Sequence, residues 1–80
     1  MIIMQLKLNT MEELEEAINR AIQNEVSMGL FIEMPGFEMP ELITNPCINL
    51  KKKLEYYKAT YDNNLEHKHA KGIKIVGYTL

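Results

Sequence analysis

A single cysteine in 80 residues excludes an internal disulfide, and so thiol-poor a chain fits a reducing cytoplasm. Long apolar runs are missing too. The longest are four or five residues, far short of the ~20 that a membrane-spanning helix needs, so no membrane role is expected. The N-terminus has no basic flank, extended apolar core or small-residue cleavage site, and no secretory signal is expected there. Positive charge is scarce in the first fifty residues, where Lys7 and Arg20 face eight acids. From Lys51 onward the balance reverses, with seven lysines against Glu55, Asp62 and Glu66. Such an uneven chain can select partners by charge or attract a second copy head to tail. It lacks the dense positive field of a dedicated nucleic-acid binder.

What is present is ordinary globular material, 46% hydrophobic and 25% charged, enough for one small domain over residues 1–80. A chain of this length buries only roughly 60–65% of its unfolded surface, so self-association would add useful stability. Asn, Lys and Ile are abundant, a bias of AT-rich genomes that points towards a phage or mobile-element accessory protein.

Six patterned hydrophobic segments follow one another along the chain. Alternation over Ile2–Leu8 predicts a strand, and Met11, Leu14, Ile18, Ala21 and Ile22 predict a helix running to Val26. Thr10 and Glu13 form a capping-box signature at its start, where Glu12, Glu13, Glu15 and Glu16 suit the positive end of the helix dipole. Leu30–Met34 reads as a second strand and the short Glu41–Thr44 as a third, separated by the breakers Pro35-Gly36 and Pro40. Asn45-Pro46 resembles an N-cap followed by proline at the first helical position. The stripe Cys47, Leu50, Leu54, Tyr57, Tyr61, Leu65 then predicts a second helix. Ile73–Leu80 closes the chain as a strand. The order β-α-β-β-α-β predicts an α+β two-layer sandwich of ferredoxin-like type, with both helices on one face of a mainly antiparallel sheet.

In that arrangement one sheet face stays uncovered. Strict alternation places Ile3, Phe31, Ile43, Val76 and Tyr78 on it, with Phe37 on a nearby loop tip bounded by Pro and Gly. So apolar a face predicts a non-enzymatic interaction or regulatory module that forms a homodimer or binds another protein. The alternative is a nucleic-acid-binding accessory protein using Lys51, Lys52, Lys53, Tyr56 and Lys58 to track phosphates and stack on a base.

Signals for chemistry are weak. Cys47 falls near a helix N-terminus but without a partner cysteine or histidine, and it reads as the first member of the apolar stripe. His67 and His69 lack a third ligand at metal-binding spacing and read as loop residues. No nucleophile–base pair is evident, so no catalytic residue, metal or cofactor is expected, although a small ligand held between protomers stays open. The aromatics that RNA-recognition domains place on their central strands are absent, those positions being Ile3, Gln5, Lys7 and Ile43. Where small metal chaperones carry CxxC, this chain has Asn9-Thr10.

Overall fold

The computed structural model describes residues 5–80; Ile3 lies outside the described residues. The chain is a small α+β structure of two helices and a four-stranded antiparallel sheet. Its elements are β1 (Leu6–Lys7), α1 (Met11–Gln23), β2 (Met28–Glu33), β3 (Glu41–Asn45), α2 (Leu50–Thr60) and β4 (Lys74–Thr79). Strand order is β1-β4-β2-β3, and every neighbouring pair is antiparallel. Both β-α-β crossovers are thus split by one strand: β4 lies between β1 and β2, and β2 lies between β3 and β4. A ferredoxin-like sheet would place β1 and β3 inside; here β2 and β4 hold those positions, and that finer topology is not confirmed.

Burial explains the order. Met28, Gly29, Leu30 and Ile32 of β2 are buried, as are Ile75, Gly77 and Tyr78 of β4, as suits strands that have a neighbour on each side. Leu6 and Lys7 of β1 and Glu41, Leu42 and Thr44 of β3 are exposed, as suits sheet edges. The core gathers Leu14, Ile18 and Ala21 of α1, Leu50 and Tyr57 of α2, and Leu30, Ile32, Ile75 and Tyr78 from one sheet face. Both helices therefore cover the same face, and the opposite face is open.

Helix α1 begins as its sequence dictates. Glu13 N donates to Thr10 Oγ1 at 3.2 Å, and Thr10 N donates to Glu13 Oε1 at 3.0 Å. It ends three residues before the expected Val26. Glu25 N donates to Ile22 O and Val26 N to Ala21 O, a Schellman closure that holds Glu25 at φ 56°. Strand β2 begins at Met28, two residues before the expected Leu30.

Helix α2 starts later than expected. Pro46 leads into a 3₁₀ turn over Cys47–Asn49, and the α-helix proper runs from Leu50. Asn45 caps nothing; it is the last residue of β3 and is buried, while Cys47 is half-buried in the turn and outside the core. The helix stops at Thr60, because Tyr61 turns extended and an Asp62 turn follows. There Asp62 Oδ1 accepts from Asn64 N (2.9 Å) and Glu66 N (3.0 Å), and Leu65, at φ 64°, is driven into the core. Ile75 N donates to Leu65 O and His67 N to Ile73 O, so this segment continues the edge position of β1 along β4.

A bulge in β4 reassigns one candidate residue, and the β2–β3 register reassigns another. Phe31 pairs with Gly77 but Ile32 pairs with Ile75, leaving Val76 as an extra residue in β4. The bulge breaks alternation, so Ile75 and Tyr78 share the core face although three residues apart. Tyr78, expected on the open face, pairs with Leu30 and is buried beneath the helices. Ile43 also pairs with Leu30 and packs against the core, half-buried on the helix side rather than on the open face.

Candidate interaction site

The open face carries a smaller apolar patch than strict alternation predicts. Phe31 stays on it, half-buried between its partners Leu42 on β3 and Gly77 on β4. Val76 is half-buried at the bulge, with its carbonyl accepting from Leu8 N at 3.0 Å. Glu33 and Lys74 face each other further along, and Gln5 folds over Gly77. The two glycines let neighbouring chains settle close: a Cβ on Gly29 would lie 2.7 Å from Leu42 Cδ1, and one on Gly77 2.8 Å from Leu6 O.

Exposed apolar side chains concentrate instead around β3. Phe37 is 71% exposed, Met39 78%, Leu42 39% and Ile48 90%, so four of the eight large hydrophobics exposed among the described residues fall between positions 37 and 48. The loop that presents Phe37 is well defined. Met34-Pro35-Gly36-Phe37 forms a turn closed by Phe37 N donating to Met34 O at 3.3 Å, with Gly36 at φ 83° as a type II turn requires. Pro35 packs on Gly72 of a second turn, where an added Cβ would come within 2.9 Å of it. Leu42 and Ile48 escaped sequence reasoning as contact residues, whereas Met39 shares with Phe37 the loop tip that its Pro and Gly breakers mark as a contact surface. Their signal was present in part: Leu42 lies between Pro40 and Pro46, which isolate a short strand, and Ile48 follows Pro46 by two residues.

The lysines do not form one surface. Lys58 is taken up by α1, its Nζ lying 3.2 Å from Glu15 Oε2. Lys53 Nζ lies 5.3 Å from the centre of the Tyr56 ring, a cation–π contact with an exposed aromatic. Lys51 and Lys52 project beside Ile48, Asn49 and Glu55 and line a shallow groove with them.

A second depression, of ≈ 260 Å³, opens where α2 falls short of the β2–β3 hairpin. Ile32, Met34, Ile43 and Ile73 form its apolar floor, with Tyr56, Tyr57, Tyr61 and His67 along one wall. These aromatics run edge to face, at centroid spacings of 5.4 Å for Tyr56–Tyr57, 6.0 Å for Tyr57–Tyr61 and 5.2 Å for Tyr61–His67. Two of their polar atoms are committed to structure. Tyr57 Oη donates to buried Asn45 Oδ1 at 3.3 Å. His67 Nδ1 accepts from the backbone N of His69 (3.1 Å) and of Ala70 (2.9 Å), so that nitrogen has no lone pair to offer a metal. Burial raises the Tyr57 pKa above 10.0, opposed by the Asn45 hydrogen bond and aided by Tyr56. Tyr61 is also raised, by burial first and then by Tyr56 and Tyr57. No three His, Cys, Asp or Glu side chains cluster as a metal site among the described residues.

Comparison with protein families, with characterised proteins and with solved structures returns no match. Among the described residues no helix is long and apolar enough to cross a membrane.

Proposed function

We propose that this protein is a non-enzymatic interaction module that acts as a homodimer, its contact surface lying on the β3 side of the molecule. The observation that carries this reading is the grouping of Phe37, Met39, Leu42 and Ile48 around one edge strand, with Phe31 and Val76 on the adjoining open face. Apolar groups of that size exposed together are costly in water unless something covers them. Light scattering over a range of concentrations tests it. A mass of twice the 9.3 kDa chain, reduced to one chain by Leu42→Asp, is the expected result. A single-chain mass at every concentration would reject the dimer.

Nucleic-acid binding through Lys51, Lys52, Lys53 and Tyr56 is the alternative, supported by an exposed tyrosine ring beside half-buried Lys53, with Lys51 and Lys52 exposed nearby. Loss of Lys58 to Glu15 weakens it. Retention on single-stranded DNA that falls steeply with salt would favour this alternative, and no retention at low salt would remove it.

A further inference from the structure

We propose that the dimer forms by antiparallel pairing of β3 with β3 of a second copy, about a two-fold axis through Ile43, joining two four-stranded sheets into one. This rests on the homodimer reading above and specifies its geometry.

The strand is suited to it. One side of β3 bonds to β2 in unbroken register from Met28↔Asn45 to Ile32↔Glu41, and among the described residues no strand pairs with the other side. Protected edges usually carry a bulge or an inward-pointing charge. β3 has no bulge against β2, and its one charged residue, Glu41, stands at its start.

Symmetry about Ile43 matches the sequence on both flanks. Antiparallel pairing would set Leu42 opposite Thr44 of the second copy, Glu41 opposite its Asn45 and Pro40 opposite its Pro46. No like charges meet across the strands. Proline has no N–H to donate, so the ladder ends at both prolines and the pairing is confined to β3. Because each copy offers the same strand to the other, the contact closes on itself as a dimer.

Charge complementarity identifies a second copy as the occupant. Acidic residues precede β3 and flank its start, at Glu33, Glu38 and Glu41, whereas basic residues follow it at Lys51, Lys52 and Lys53. The two-fold axis lays the acidic end of each copy along the basic end of the other, twice over. It also directs the Phe37–Met39 tip towards Ile48, Asn49 and Lys51 of the second copy, the shallow groove already described. The exposed side chains of Phe37, Met39, Leu42 and Ile48 and the opposite charges that flank β3 are then accounted for by one contact.

Pairwise cross-linking reads the register directly. In a Cys47→Ser background, a Leu42→Cys chain is mixed with a Thr44→Cys chain and oxidised mildly. Both positions are exposed, so the substitutions should leave the fold intact, which circular dichroism checks. The expected result is a mixed disulfide well above its statistical share, with little Leu42→Cys self-pairing. A dimeric mass in solution without the mixed disulfide would overturn this geometry and leave the homodimer reading standing. A single-chain mass for the unsubstituted protein would overturn both.

Discussion

Tyr57 Oη and Asn45 Oδ1, 3.3 Å apart in the buried interior, tie the middle of α2 to the last residue of β3. Asn45 is 1% exposed, and its Nδ2 has no partner among the described residues. The amide therefore depends on one hydrogen bond for its satisfaction. Tyr57→Phe should keep the ring packing while leaving Asn45 wholly unpaired, at a cost of about 1–3 kcal/mol. In a domain of this size that lowers Tm by roughly 4–8 °C per kcal/mol. Adding Asn45→Val removes the stranded group, so the double variant should be more stable than the sum of the two single losses predicts. Urea denaturation of the four proteins measures the coupling; strict additivity would show that the bond contributes nothing.

The same burial makes the fold sensitive to alkali. Tyr57 and Tyr61 have folded-state pKa values raised above the ordinary 10.0, mainly by burial, so the unfolded chain releases those protons first. The stability linked to them is complete below pH 10 and is lost as pH rises through the folded-state values. Tyrosinate absorbance should accordingly show Tyr57 and Tyr61 titrating late and together with unfolding. With Tyr57→Phe the decline in stability above pH 10 should be shallower. An unchanged slope would mean that Tyr57 ionises without regard to folding.

Glu25 occupies a position that favours glycine. It closes α1 at φ 56°, a conformation that costs an L-residue with a Cβ roughly 1–2 kcal/mol, and its side chain is exposed. Glu25→Gly removes that strain but adds freedom to the unfolded chain worth about 0.5–1 kcal/mol. A net gain of up to ~1 kcal/mol is expected, seen as a higher urea midpoint with unchanged slope. A lower midpoint would mean that the Glu25 side chain makes a stabilising contact.

Why some features were legible in the sequence and others were not follows from their range. Local chemistry was readable: Thr10 and Glu13 form the expected capping box, the Pro35-Gly36 turn falls where the breakers stand, and Glu41–Thr44 pairs as a strand. The α+β layering followed from periodicity for the same reason. The order of strands did not, because β1 and β2 each alternate or run apolar in ways that fit either an edge or the interior. Tyr78 was assigned to the wrong face by strict period-two counting, and only the pairing of β4 with β2 reveals Val76 as the extra residue. Ile43 failed for a related cause: the face a short strand presents is set by its register with Leu30, which no property of Glu41–Thr44 specifies. Asn45 looked like a helix cap because Asn-Pro commonly is one, whereas its actual role is the distant contact with Tyr57.

The approach of β1 to β4 yields a last prediction, at Gly77. A Cβ there would stand 2.8 Å from Leu6 O and equally close to Gln5 Cγ and Nε2. The Gln5 side chain is flexible and exposed and can swing aside, but the Leu6 carbonyl belongs to the strand backbone and moves only with β1 itself. Gly77→Ala should therefore push β1 away from β4, with an overpacking cost of about 1–3 kcal/mol. The damage should be local. Leu8 N, which donates to Val76 O at 3.0 Å, should lose protection from hydrogen exchange, while amides along β3, which does not pair with β4, change only by the global loss. Gly36→Ala is the comparison, since nothing lies within 4 Å of its Cβ and its penalty comes from φ 83° alone. It should cost roughly 1–2 kcal/mol without a selective effect on Leu8. Equal exchange at Leu8 in both variants would show that the contact between Gly77 and Leu6 does not hold β1 in place.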